Sequence, residues 1–303
     1  MTDPLEPKKA FRSGFIAISG PPNAGKSTLL NLLAGEKISI TSDKPQTTRN
    51  RILGVVNRKN AQMVFVDTPG IFRPRGKLNT AIVGTAVSAL ADVDVILLVI
   101  DVVKPRKDAE HLIIEHMKHH NKPVVLALNK IDRIKKHKLL EMIDSWQRLY
   151  AFERIIPISA LEAIQTEDLM VDLEALLPAG GPLFPEEMLT DAPERFLAAE
   201  MIREKVFHLT GQEIPYATAV TIDTFKEKKE RSVIHIQATI HVERDSQKGI
   251  IIGRQGAMLK QIGQESRRDI EQMTGARVFL ELFVRVQKNW SSDDRRLSEF
   301  GYP

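Results

Sequence analysis

Short apolar runs recur through the first half of the chain, each separated from the next by a stretch of helical period. Phe15–Ser19, Met63–Val66, Val95–Ile100, Val124–Leu128 and Ile155–Ile158 are rich in Val and Ile and nearly uninterrupted, which predicts strands buried on both faces. Between them, Ser27–Ala34, Leu78–Ala91, Ala109–His119 and Leu139–Tyr150 space their apolar residues as helices do. This alternation predicts an α/β domain with a mostly parallel sheet covered by helices on both faces. Arg51–Arg58 lies next to the second core strand and is expected to pair antiparallel with it.

The pattern changes after residue 178. Pro178, Pro182, Pro185 and Pro193, two adjacent glycines and a cluster of acids give residues 179–193 the composition of a linker. A different order follows: a helix (Glu194–Leu209), a strand (Ala217–Phe225), a strictly alternating strand (Val233–Val242), a glycine-rich turn, a helix (Leu259–Thr274) and a strand (Arg277–Val286). That order predicts a smaller α+β domain over 194–288, its helices on one face of a sheet. Phe279 and Phe283 alternate with polar neighbours and are expected in its core rather than as surfaces on which bases stack, and Lys226–Arg231 reads as a charged hairpin turn. Residues 289–303 read as an amphipathic tail, and residues 1–13, polar and broken by proline, as a flexible leader ahead of a first domain over 14–178.

Composition narrows the class. With 303 residues, 43% of them hydrophobic, the chain suits two globular domains. The 27% of charged residues and 6% of aromatics exclude a fibrous or disordered chain. The absence of cysteine excludes disulfides and thiolate metal sites and suits a reducing compartment. No apolar stretch near the start resembles a signal peptide, and the longest apolar run, Val95–Ile100, is too short to span a bilayer, so a soluble, cytoplasmic protein is expected. The net charge of +4 is uninformative by itself, but its placement is not. Between Arg244 and Arg268 there are six Lys or Arg against two acids.

The first strand runs into Gly20-Pro-Pro-Asn23-Ala24-Gly25-Lys26-Ser27-Thr28, and a Leu-rich helix follows at once. This matches the phosphate-binding pattern G-x-x-x-x-G-K-[ST] in its strand–loop–helix setting. Glycines let the backbone curl so that successive N–H groups point at phosphate beside the positive end of the helix. Lys26 is expected to neutralise the β- and γ-phosphates and Ser27 to ligate Mg²⁺. The second core strand ends in Asp67-Thr68-Pro69-Gly70. A carboxylate there can hold Mg²⁺ through water, and the Gly70 amide can sense the γ-phosphate. Alone, these four residues would be only a turn signal.

Asn129-Lys130-Ile131-Asp132 follows the fourth strand. An ionised Asp132 accepts two hydrogen bonds from guanine, at N1–H and the 2-amino group; adenine would leave it unpaired, and such a site rejects the wrong base strongly. Lys130 can lay its stem over the purine, and Asn129 can bond neighbouring backbone and N7. Ser159-Ala160-Leu161, after the last strand, supplies the Ala160 amide to guanine O6. Four motifs in order, each at a strand end, define a site for GTP and GDP. Residues 41–49 between the first two motifs are polar, lack period and read as a mobile loop. Its threonine hydroxyl would join Mg²⁺ only with γ-phosphate present, and spacing leaves open whether Thr47 or Thr48 is the ligand.

Lys44-Pro-Gln-Thr-Thr-Arg49, the Pro22-Asn23 pair in the phosphate loop and Asp67-Thr-Pro-Gly-Ile-Phe72 together resemble the Era family of P-loop GTPases. Pro21 and Ala24 depart from the expected Arg and Val, at positions that offer no side chain to phosphate. Ile71 stands where Ras-like enzymes carry a water-orienting glutamine, so hydrolysis is expected to be slow without a substitute. Related GTPases use an Asn at the position of Asn23 to bind K⁺, which implies stimulation by that ion. On this reading Lys26, Asn23, Thr47 or Thr48, and Gly70 carry catalysis.

Gly249-Ile-Ile-Ile252-Gly253-Arg254-Gln255-Gly256, after an alternating strand and before a helix, resembles the loop of a KH domain, and the order of elements resembles the type II variant. In such modules the loop clamps about four nucleotides of single-stranded RNA. Lys248, Lys260, Arg267 and Arg268 would extend the basic track. The resemblance spans Phe15 to Tyr302. It implies recognition of the 3′ end of 16S ribosomal RNA, a role in assembly of the 30S subunit, a monomer, and peripheral contact with the inner membrane. A competing reading is an RNA chaperone that holds GTP only structurally. A tRNA-modifying GTPase would need a further cofactor domain, for which the chain has no length. His116 and His120, four apart beside Lys118, read as a solvated helix face rather than a metal pair.

Overall fold

The computed structural model describes residues 10–211, 214–228 and 233–302. By internal contacts the chain divides into two units. The first comprises residues up to Glu36, Arg51–Arg73 and Ala86–Asp191; the second comprises Lys37–Asn50, Pro74–Thr85 and the chain from Ala192.

In the first unit β1 (Arg12–Ser19), β3 (Ala61–Asp67), β4 (Val95–Asp101), β5 (Val124–Asn129) and β6 (Arg154–Ile158) run parallel, and β2 (Ile52–Arg58) pairs antiparallel with β3. The sheet order is β2-β3-β1-β4-β5-β6. Every residue of β3, β4 and β5 is buried, as uninterrupted Val/Ile/Leu runs require. Helices α1 (Lys26–Ala34), α2 (Lys77–Ser88), α3 (Lys107–Lys118), α4 (Lys136–Leu149) and α5 (Thr166–Leu176) connect or follow the strands, with α2 assigned to the second unit as far as Thr85. The pattern reading contains no helix over α5. Its buried stripe is only Leu169, Met170 and Leu173, set among acids and threonine, so the periodic signal is weak.

The chain at both edges of this unit is more ordered than its composition suggests. Arg12 and Ser13, assigned to the leader by sequence, open β1, and the Ser13 amide donates to the Pro178 carbonyl. The linker is strapped along the strands. The Gly180 amide donates to the Phe11 carbonyl, the Val55 amide to Leu189, and the Gln62 side chain accepts from the Leu183 and Phe184 amides. Proline and glycine prevented a helix or strand here without preventing attachment.

The second unit orders α6 (Glu194–Leu209), β7 (Ala219–Lys228), β8 (Val233–Val242), α7 (Asp245–Ile252), α8 (Ala257–Thr274), β9 (Arg277–Val286) and α9 (Asp294–Glu299). Its sheet is β7-β8-β9, antiparallel then parallel. Ile234, Ile236, Ala238 and Ile240 point to one face and bury against Ala198, Met201 and Ile202 of α6 and Ile262 and Ile270 of α8. The strict alternation of β8 is therefore a one-sided core. Two expectations fail here. Gly249 lies inside α7, so the glycine-rich turn is shorter than the sequence suggested: three successive isoleucines extend the helix across that glycine. Phe279 and Phe283 are each 51% exposed, because their positions in β9 face away from the helices while Val278 faces in. Of the expected hairpin turn, Lys226 and Glu227 belong to β7, and residues 229–232 lie outside the described ones. The tail is docked, with Trp290, Leu297 and Tyr302 buried beside Leu78, Ile82 and Ala219. Among the described residues no helix is long and apolar enough to cross a membrane.

Candidate nucleotide and RNA sites

Parallel strands deliver their carboxyl ends to one edge of the sheet, and the predicted nucleotide motifs lie at those ends of β1, β3, β5 and β6. The loop Gly20–Gly25 leads into α1. Gly25 has φ 97°, and a Cβ there would lie 2.3 Å from Asn129 Nδ2, so the position excludes any side chain. Asn23 itself sits in the left-handed region at φ 66°. Lys26 is buried and donates from Nζ to the Gly20 and Pro21 carbonyls at 3.2 and 3.0 Å. Burial lowers its pKa to about 8, and Asp67 opposes that shift.

Ser27 Oγ donates to Asp67 Oδ2 at 2.7 Å, which joins the phosphate loop to the end of β3 through two hard oxygen donors. Thr68 Oγ1 donates to the Ile18 carbonyl, and the Ile71 amide to the Gly20 carbonyl. These bonds hold Thr68, Pro69 and Gly70 against the phosphate loop. Ile71 is fully buried, and its hydrocarbon side chain has no polar atom with which to orient a water.

The base-reading residues form one network. Asn129 Nδ2 donates to the Ala24 carbonyl at 2.8 Å, and its Oδ1 accepts from the Lys130 amide at 2.8 Å and the Ala160 amide at 2.9 Å. One side chain thus ties phosphate loop, β5 and the segment after β6 together. The Ala160 amide, expected to serve guanine O6, donates to Asn129 Oδ1 in this geometry. Ser159 Oγ donates to Asp132 Oδ1 at 2.6 Å, which fixes the carboxylate's orientation, and Leu161 is exposed beside it.

Lys130 introduces a residue that motif reading missed. Its Nζ donates to the Asn23 carbonyl at 2.8 Å and to Asp101 Oδ2 at 2.6 Å. Asp101 ends β4, is buried, and accepts from the Val103 and Lys104 amides through its other oxygen. In the sequence it is marked only by its place after the apolar run Val95–Ile100, which carries no motif.

Thr47 and Thr48 lie in the segment Lys37–Asn50, which belongs to the second unit, and both are buried there. Arg49, next in sequence, is wholly buried: Nη1 donates to the Thr218 carbonyl and Tyr302 Oη, Nη2 to the Pro215 and Tyr216 carbonyls. The guanidinium also lies over the Phe207 and Tyr302 rings. Lys37 bridges Glu204 and Asp269 at 2.6 and 2.9 Å, the Thr41 amide donates to Glu204, and Arg203 donates to the Thr47 carbonyl. The expected mobile loop is anchored at both ends.

The RNA-motif residues gather where α7 meets α8. Gly253 has φ 73°, and a Cβ there would lie 2.7 Å from that of Met258, so the turn requires glycine. Arg254, Gln255 and Gly256 form the connecting turn, with Arg254, Gln255 and, in α8, Lys260 exposed. Gly249, Lys248 and Ile252 are helical in α7 rather than part of the loop, and Ile251 anchors that helix in the core. Arg267 and Arg268 are exposed farther along α8.

Residues 15–130 match the family model of a 50S ribosome-binding GTPase, and residues 213–291 that of a KH domain. The chain is 52% identical to the GTPase Era of Geotalea uraniireducens, covering 97% of this chain and 99% of that one. It is also 52% identical to the GTPase Era of Geobacter metallireducens, over 96% and 98%. A crystal structure of Era in complex with MgGDPNP and nucleotides 1506–1542 of 16S ribosomal RNA is similar with TM-score 0.93 and 42% identity, covering 96% of this chain and 99% of that one. A point variant of Aquifex aeolicus Era bound to GDP·AlF4⁻ matches with the same score and coverage at 41% identity. With a phosphate loop, a base-reading network and a glycine-turned α7–α8 pair in one chain of this likeness, the protein belongs to the Era family of GTPases.

Proposed function

We propose that the first unit binds GTP and hydrolyses it to GDP and phosphate, and that the second binds the 3′ end of 16S ribosomal RNA during assembly of the 30S subunit. The observation that carries the nucleotide half is the continuous network from Ala24 through Asn129 to Ala160, with Asp132 oriented by Ser159. Lys26 supplies positive charge to the phosphates. Mg²⁺ fits the oxygen pair of Ser27 and Asp67, because it favours hard oxygen ligands, and when bound it neutralises charge on the β/γ-phosphates. Thr47 or Thr48 joins that ion in the GTP state. The RNA half rests on the loop Gly253–Gly256, flanked by exposed Arg254 and Lys260, and on the rRNA bound by the similar Era structure. The cytoplasm, a monomeric state and a peripheral contact with the inner membrane complete this reading.

Nucleotide binding by wild type and Asp132→Asn tests the base assignment. The amide donates to the 2-oxo group of xanthine and opposes the 2-amino group of guanine. Wild type is expected to prefer GTP over ATP by several orders of magnitude, and the variant to turn to XTP. Equal binding of ATP by wild type would sink the guanine site.

Buried Ile71 leaves no side chain to orient water, and Asn23 in the phosphate loop is the residue that would hold a K⁺ ion as the missing charge. Turnover is expected to rise at least about tenfold when KCl replaces NaCl, as a positioned charge stabilises the transition state. Equal rates in the two salts contradict the role.

A further inference from the structure

The sheet of the second unit has a face that neither α6 nor α8 covers. Along β9 that face carries Arg277, Phe279, Glu281, Phe283 and Arg285 at two-residue spacing. At one end the tail closes it: the Phe300 ring lies 4.4 Å from that of His241, which is register-matched to Arg285. The remainder is open, with Phe279 and Phe283 each 51% exposed and the His235 ring 5.1 Å from that of Phe279. Isolated exposed apolar side chains are ordinary on protein surfaces. Two aromatic rings on one strand, bracketed by arginines, are a different chemistry.

Charge selects the occupant. The two acids of this face are held by neutral donors and keep their charge: Thr239 Oγ1 donates to Asp223 Oδ2 at 2.6 Å, and Gln237 Nε2 to Glu281 Oε2 at 2.9 Å. Among the described residues no carboxylate forms a salt bridge with Lys226, Arg277 or Arg285, all three exposed. A surface with flat rings between exposed cations that outnumber its two acids and pair with neither matches a polyanion that carries planar groups. An acidic peptide would answer the cations but bring nothing to stack. We propose that this face is a second contact for single-stranded RNA, with bases stacked on Phe279 and Phe283 and phosphates met by Arg277 and Arg285. The rings stand about 13 Å apart along the strand, so they take bases that are not adjacent. The contact rests on the RNA-binding reading of this unit and lies across the sheet from α8, whose loop takes about four nucleotides. Only a longer RNA engages both.

The test uses the full chain and two labelled RNAs: the 16S segment 1506–1542 bound by the similar Era, and an octanucleotide from its 3′ end. Phe279→Thr combined with Phe283→Thr is expected to weaken the long RNA about 10- to 100-fold, since stacked bases contribute strongly, while sparing the octanucleotide and GTP turnover. Gly253→Asp is expected to weaken both RNAs. Unchanged affinity of the double phenylalanine variant for the long RNA overturns the proposal, and if Gly253→Asp still binds poorly the RNA reading survives. Loss of both RNAs in the phenylalanine variant with wild-type thermal stability also overturns a separate contact. So does intact RNA affinity with lost 30S binding, which would assign the face to a protein. If the double variant melts early, Arg277→Glu with Arg285→Glu gives the same readout from exposed positions.

Discussion

Lys26 is asked to hold a positive charge in a place where burial disfavours it. Its ammonium rests on two backbone carbonyls and faces Asp67, yet burial lowers its pKa to about 8. Phosphate oxygens arriving at the loop raise that pKa, so binding is linked to proton uptake. The sign follows: below about pH 8 the lysine is charged in both free and bound protein, and nucleotide affinity is flat. Above it the free protein has lost a proton that the complex retains, so GDP affinity falls, by about tenfold for each pH unit. Titration calorimetry between pH 7 and 10 checks this, and Lys26→Arg is expected to abolish the slope. At this scale the motif residues were legible because each is a type whose chemistry has few substitutes. Asp101 was not, since an acid after an apolar run carries no motif, and only folding brings it to 2.6 Å from Lys130.

The element that most needs explaining is the segment Lys37–Asn50. Arg49 donates four hydrogen bonds into the loop before β7 and to Tyr302 near the end of the tail, so three stretches far apart in sequence depend on one guanidinium. Replacing it with methionine keeps much of the volume but strands buried carbonyls, each costing about 1–3 kcal/mol. Arg49→Met is therefore expected to destabilise the second unit by roughly 3 kcal/mol, read as a lowered midpoint in urea. A midpoint within error of wild type would show the clamp to be dispensable. Sequence described residues 41–49 of this segment as a mobile loop because they have neither period nor apolar stripe. Its order comes instead from charges and carbonyls supplied by α6 and the tail, which no local pattern encodes. The same reasoning covers β9. Alternation correctly gave a strand, but with both phases partly apolar it did not say which phase faced the helices, and Phe279 and Phe283 fell on the outer one.

Two functions in one chain need a reason to be together. The threonines proposed to answer the γ-phosphate adjoin Arg49, and Arg49, Thr47 and Lys37 are all held by groups of the RNA-binding unit. Were nucleotide to reorder that segment, its contacts inside the unit that carries Gly253–Gly256 would change with it. We propose a switch on this basis: GTP and GDP states would differ in what they leave available to α6 and the tail, and RNA affinity would follow. The measurement that tests this account most directly is the affinity of the intact protein for the 16S segment 1506–1542 with GDP and with a non-hydrolysable GTP analogue, in Mg²⁺ and K⁺. The account predicts a difference of at least about fivefold between the two states, diminished when Arg49 is replaced by methionine. Equal affinity in both states would contradict it, and would leave a GTPase and an RNA-binding unit that share a chain without sharing a switch.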